Sequence, residues 1–149
     1  MPFGRDAMPL HSVSVAGVVV REDGHVLAIR RADNGAWEPP GGVLELDERP
    51  EEGAIREVLE ETGIHVEVER LTGVYKNMKM GVVALVFRCR AIDGAERTSS
   101  ESTAVEWLTP DEADKWMSEV FAVRVRDALD PALTPHVRSH DGRRVLDSD

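Results

Sequence analysis

The sequence predicts one mixed α/β domain, and three observations carry that prediction. The chain has 149 residues, a length at which one hydrophobic core forms and a second does not. Its apolar residues fall mostly in short β-branched runs bounded by Gly, Pro and Asp. One segment, residues 50 to 62, instead spaces its apolar positions with a helical period, between a proline start and a glycine stop. Hydrophobic residues at 42% and charged residues at 31% are the balance of a globular chain, and no apolar run is long enough to span a bilayer. Membrane and fibrous classes are thereby excluded.

Residues 1 to 12 show no period and are expected to be a loose lead-in to a domain over residues 13 to 130. Ser12 to Val20 is rich enough in β-branched residues to read as a buried strand. Glu22-Asp23-Gly24 makes a turn and His25 to Arg31 resumes a strand, so residues 13 to 31 read as a hairpin. The prolines and glycines from Ala32 to Pro50 forbid a helix interior, and Trp37-Glu-Pro-Pro-Gly-Gly42 should be extended chain running into a tight loop. Pro50 then suits a first helical turn, Ile55, Val58, Leu59 and Thr62 follow on one side, and Gly63 stops the helix. Ile64 to Val74 and Met80 to Ala91 read as strands joined by the Lys76 to Lys79 loop. Ser102 to Leu108 reads as another. Thr109 caps the next helix, with Glu112 completing a capping box, and residues 119 to 130 add a further helix. Residues 131 to 149 are polar and interrupted by Pro135 and Gly142, which predicts an appended tail. Phe121, Val125, Leu129 and Leu133 offer apolar positions for a homodimer, with a monomer equally open.

Cys89, the single cysteine, lies in an apolar run and should be a small buried hydrophobe. With no disulfide available and no apolar signal core in the opening Met-Pro-Phe-Gly-Arg-Asp, a cytoplasmic protein is expected. The net charge of −10 disfavours long nucleic acid, and no basic stripe argues for it. That charge is local: residues 45 to 61 hold eight carboxylates against two arginines, a net of −6.

Within that stretch the predicted helix places Glu57, Glu60 and Glu61 together, opposite Ile55, Val58, Leu59 and Thr62. Like charges at i,i+3 and i,i+4 cost roughly 0.2–0.5 kcal/mol per pair, and carboxylates near a helix C-terminus also oppose its dipole. A solvated acidic face is one reading. Such faces usually alternate with lysines, however, and this helix has none. A divalent cation would supply the missing charge, and an oxygen-only ligand set suits Mg²⁺ or Mn²⁺ shared with substrate phosphates.

Gly42, five residues, Glu48, seven residues, then Arg56-Glu-Val-Leu-Glu-Glu-Thr-Gly-Ile64 resembles the Nudix box at every defined position. Arg30-Arg31 and Trp37 to Gly42 also resemble the family's approach to its box. Gly53 departs from it, where many members carry alanine, at a helix cost of about 1 kcal/mol. The resemblance implies a Nudix fold, an α/β/α sandwich around a central mixed sheet. It implies a Mg²⁺- or Mn²⁺-dependent hydrolase that cleaves a pyrophosphate linkage in a nucleoside diphosphate joined to another group, a nucleoside triphosphate or an ADP-ribose-like compound. By the family's pattern Glu57, Glu60, Glu61 and the Gly41 carbonyl hold the metal, Arg56 orients the glutamates, and Glu48 sits in the outer shell. Glu57 is the first choice of general base. Glu101 lies where some relatives carry a loop base, and a solvated loop acid is the competing reading. A catalytically silent nucleotide-binding or sensor module is the alternative to an enzyme, and the intact box disfavours it.

Recognition of the rest of the substrate is less legible. Adjacent strand residues point to opposite faces, so only one of Arg30 and Arg31 can meet phosphates, and Arg30 is preferred. Trp37 and Tyr75 are candidates for stacking on a base, with core or rim packing as the competing reading. Trp107 and Trp116 read as packing. The five histidines show no metal-ligand spacing.

Overall fold

The valine run that opens the domain becomes β1 (Ser12–Val19), followed by β2 (Val26–Arg31), β3 (Trp37–Glu38), β4 (Gly41–Val43) and helix α1 (Pro50–Thr62). Two long strands, β5 (Ile64–Asn77) and β6 (Val82–Gly94), then precede β7 (Ser102–Leu108). Helices α2 (Pro110–Trp116) and α3 (Glu119–Leu129) lead to β8 (His136–His140) and β9 (Val145–Leu146). This computed structural model describes residues 8–146, so the expectations for residues 1–7 of the lead-in and 147–149 of the tail lie outside the described residues.

The strands form a six-stranded mixed sheet, in the order β4-β1-β6-β5-β8-β9, and a three-stranded sheet, β3-β2-β7. Within the larger sheet β1 runs parallel to β6 and β5 parallel to β8. The expected hairpin over residues 13 to 31 is corrected. Its turn is present, with the Arg21 amide donating to the His25 carbonyl and a Val20–Val26 bridge, but β1 and β2 enter different sheets. The reason is burial on both faces: Val15 and Val19 of β1 face one core cluster, and Ala16 and Val18 face the other. A strand apolar on both sides takes a central place between partners rather than an exposed ribbon.

Helix α1 covers the cluster containing Val15, Ala54, Val58 and Phe87, while α2 and α3 supply Ala113, Ala122, Val123 and Val125 to the other. Helices therefore flank the mixed sheet on both sides, as the α/β/α expectation has it. The Thr109 capping box forms as expected: its hydroxyl accepts from the Glu112 amide and the Glu112 carboxylate from the Thr109 amide. Cys89 is buried, and burial pushes its thiol up to about 12. No helix among the described residues is long and apolar enough to cross a membrane.

Two expectations about the C-terminal end change. Val125 is buried, and Phe121 and Leu129 pack on the core, so of the four apolar dimer positions only Leu133 is exposed. The tail is not an appendage over residues 136 to 140, because β8 pairs with β5 from Gly73–His136 to Asn77–His140. Its anchor is polar: Arg138 donates two 2.8 Å hydrogen bonds to the buried Asp127 carboxylate, which also accepts from the Tyr75 hydroxyl at 2.6 Å. A strand held by ladder bonds and an ion pair carries no apolar alternation to read.

Candidate active site

Helix α1 starts where the Glu52 carboxylate accepts from the Arg49 amide at 3.1 Å, and ends at Gly63 with φ of 77°. It is turned differently from the simple apolar-versus-acidic division. Its buried residues are Gly53, Ala54, Val58, Glu61 and Thr62, whereas Leu59 is exposed. The three carboxylates consequently sit at three depths, with Glu61 5% exposed as a residue and the Glu57 and Glu60 side chains 13% and 59% exposed. A glycine strand makes this possible. A Cβ at Gly42 would stand 2.6 Å from the Glu57 carboxylate, and one at Gly53 would meet Glu48 Oε1 at 2.9 Å. Gly53 thus makes room for the Glu48 carboxylate, which offsets its helix cost with a contact.

Arg56 is the hub. Its Nε and Nη2 grip the two oxygens of Glu48 at 2.9 and 2.6 Å, and its Nη1 donates to Glu57 at 2.8 Å and to Glu60 at 3.3 Å. A further bond from Nη2 reaches the Val43 carbonyl at 3.2 Å. Glu48 also accepts from the Glu45 amide, and these bonds, Arg56 first, pull its carboxyl down to about 2. One guanidinium fork thereby fixes the loop before α1 to the acidic positions within it.

Glu61 has no such cation. It accepts a 2.9 Å bond from the Gly41 amide, but burial pushes its carboxyl up to about 8, with the charges of Glu57, Glu38 and Glu101 adding to the rise. It opens on a cavity of about 440 Å³ that is also lined by Arg31, Asp33, Glu38, Gly41 and Glu101. Glu101 therefore does reach the face to which Glu61 belongs. No three His, Cys, Asp or Glu side chains among the described residues form a ready-made metal cage. Glu57 and Glu60 lean on Arg56, and Glu61 on Gly41. The donors nevertheless fit a hard divalent cation, since all are carboxylate oxygens and the buried Glu61 lacks a countercharge.

A second cavity, of about 270 Å³, lies between β1, β5 and α3 and shares Arg31, Glu38 and Gly41 with the first. Arg31 is the arginine that faces both, donating to Glu38 Oε1 at 3.2 Å and to Asp33 at 2.6 Å. The preference for Arg30 is corrected: it is exposed, donates to the Gly35 carbonyl and lines neither cavity. The β-bulge between Arg30 and Arg31 sets that choice. Trp37 packs against Trp116 at 5.5 Å between ring centroids and against the core, so it too lies off both cavities. Tyr75 does line this second cavity, but it is 1% exposed, with its hydroxyl committed to Asp127 and the Arg124 guanidinium over its ring.

Among the polar residues lining these cavities, Asp33, Glu38, Asn77, Arg124 and His140 escaped the sequence reading. Glu38 could have been found by strand alternation from Trp37. Arg124 has a signal too, a charged residue at a core-facing position four residues after Val120 in an otherwise apolar run.

A sequence model described as the NUDIX domain matches residues 10–129. The chain is 72% identical over 138 residues, 93% of this chain and 89% of its relative, to a "MutT-like protein" of Streptomyces ambofaciens. It is 32% identical to a "Putative 8-oxo-dGTP diphosphatase" of Bacillus subtilis (62% of this chain, 63% of that one). It is 30% identical to an "ADP-ribose pyrophosphatase" of Methanocaldococcus jannaschii (66% and 63%). Among solved structures, a NUDIX hydrolase from Nitrosomonas europaea superposes with a TM-score of 0.77 at 26% identity, covering 89% of this chain and 81% of the other.

Proposed function

Because the chain belongs to the Nudix hydrolase family, we propose that it is a divalent-cation-dependent pyrophosphohydrolase acting on a nucleoside diphosphate joined to another group. A nucleoside triphosphate and an ADP-ribose-like compound are the two substrate types in view, and relatives named for each support both. The observation that carries the reading is the stepped carboxylate set on α1, with Glu61 buried and uncompensated beside a cavity.

In this reading Glu57, Glu60, Glu61 and the Gly41 carbonyl hold Mg²⁺ or Mn²⁺. When bound, such a cation neutralises pyrophosphate charge and lowers the pKa of a coordinated water. The chain's own residues do the positioning. Arg56 keeps Glu57 and Glu60 in register with Glu48 as its backstop, so the carboxylates lose little conformational freedom when they turn to a ligand. Glu57 accepts the proton of the attacking water, with Glu101 on the Glu61 cavity as the second candidate. Arg31, in place of Arg30, meets a phosphate oxygen.

The test is a panel of nucleoside triphosphates, ADP-ribose, dinucleoside polyphosphates and nucleotide sugars, incubated with Mg²⁺ or Mn²⁺ and then with EDTA. Cleavage of at least one member that stops in EDTA and in Glu60→Gln supports the reading. A panel left intact, with Glu60→Gln indistinguishable from wild type, overturns it.

A further inference from the structure

Arg124 is 8% exposed, lies on the core side of α3 and lines the 270 Å³ cavity, yet its Nε has no hydrogen-bond partner. Its guanidinium carbon sits 5.0 Å from the Tyr75 ring centroid and 4.9 Å from that of Phe121. The rings face the cation, and its N–H edge is what remains for hydrogen bonding. A buried guanidinium without a partner at Nε is costly unless a ligand completes it.

His140 and Asn77, which line the same cavity, also offer donors. His140 Nδ1 accepts from the Gly142 amide at 3.0 Å, which puts the proton of the neutral ring on Nε2. Asn77 Oδ1 accepts from the Lys79 and Met80 amides, leaving its NH₂ group. The one carboxylate lining the cavity is Glu38, whose Oε1 takes a bond from Arg31, and the Ser14 hydroxyl can donate or accept. Val15, Val82 and Phe121 supply apolar wall. A donor-rich lining with one carboxylate and apolar walls fits a planar heterocycle that presents adjacent in-plane acceptors. It does not fit one that presents an amino group there. On a purine edge, O6 and N7 are two acceptors that an arginine fork can meet together, whereas a 6-amino group is a donor and opposes it.

Resting on the hydrolase reading for what is joined to the base, we infer that Arg124 determines base specificity, selecting a 6-oxopurine over a 6-aminopurine in the cavity between β1, β5 and α3, which narrows the two substrate types in view to a 6-oxopurine nucleotide and away from adenine-bearing ADP-ribose. The residue recognises the substrate and takes no part in the bond cleavage.

The test has two arms on the full chain. In the first, inosine and adenosine, which carry no phosphate, are titrated without metal and followed by amide NMR shifts of the cavity residues. Inosine should perturb His140, Gly142 and Phe121, and adenosine should need about tenfold more to do so. Equal binding, shifts elsewhere, or no inosine response up to its solubility overturns the inference. In the second arm, kcat/KM is compared for ITP, GTP, 7-deaza-GTP and ATP. ITP and GTP should lead ATP by about tenfold or more, and loss of N7 in 7-deaza-GTP should erase most of that lead. Arg124→Gln should bring the ITP-to-ATP ratio towards one, whereas a merely structural role would lower both rates together. Should that variant not fold, the wild-type nucleotide series decides the matter. Inosine binding with no nucleotide hydrolysed sinks the hydrolase reading and leaves the specificity assignment standing. Hydrolysis without base preference does the reverse.

Discussion

The cavity beside α1 and the cavity beside α3 share Arg31, Glu38 and Gly41, yet opposite chemistry lines them. The first gathers Asp33, Glu38, Glu61 and Glu101 around one arginine, an excess of negative charge that calls for a cation. The second sets Arg31, Arg124, His140 and Asn77 against one carboxylate, an excess of donors that calls for acceptors. The shared Arg31–Glu38 pair stands where the two meet. On the proposed reading, reaction and recognition are divided between neighbouring spaces, and residues that line only one of them, such as Glu61 and Arg124, test the two separately.

The largest expected effect tests that division. Glu57→Gln should lower kcat by roughly 100- to 10,000-fold, the range for removing a general base, while inosine binding in the α3 cavity stays at its wild-type affinity. Loss of both would show that the two spaces act as one. Arg56→Lys comes next. It keeps the charge but not the fork that holds Glu48 and Glu57, and steady-state kinetics should show a loss of about 10- to 100-fold. Full activity in this variant would mean that charge alone, without geometry, organises the acidic face.

The third prediction is a pH dependence. Glu61 rises in the metal-free fold from an ordinary 4.5 to about 8. Between those values the folded state holds a proton that the unfolded chain has released, so stability should fall as pH rises through this window. Thermal melts in EDTA at pH 5 to 9 should therefore diverge, with wild type losing more than Glu61→Gln as pH increases. Parallel curves would show that Glu61 is not the frustrated group. The smallest effect belongs to Gly53→Ala, where a helix gain of about 1 kcal/mol is offset by a Cβ that meets Leu44 and Glu48. The melting temperature should barely move while activity drops a few-fold, and a clear stabilisation with full activity would refute the close approach.

The two spaces also differ in how far the sequence reveals them. The acidic site lies almost wholly in one continuous stretch, from Gly41 to Glu61, where turn residues, helical period and charge are all local properties. Helix α1 and its glycine stop accordingly fall where the spacing puts them. What spacing does not give is rotation about the helix axis: Glu61 is buried and Leu59 exposed, and Gly42 of β4 leaves the room in which α1 approaches with Glu57 turned inward. The α3 cavity draws on β1, β5, β6, α3 and the segment from His140 to Gly142. Its residues meet through strand pairing across the whole chain, and β8 is fixed by ladder bonds and by Arg138 on Asp127, none of which leaves an apolar period. Arg30 and Arg31 show the same limit at the scale of one residue, since a β-bulge decides which of them faces the site.

The claim on which the rest depends is that the carboxylates of α1, among them the uncompensated Glu61, form a cation site. Calorimetric titration with Mn²⁺ at pH 7, repeated in two buffers of different ionisation enthalpy, measures both affinity and the protons released. The account predicts saturable binding with release of close to one proton in wild type, and weaker binding with little or no release in Glu61→Gln. Absence of binding, or the same affinity and proton release in both proteins, would contradict it.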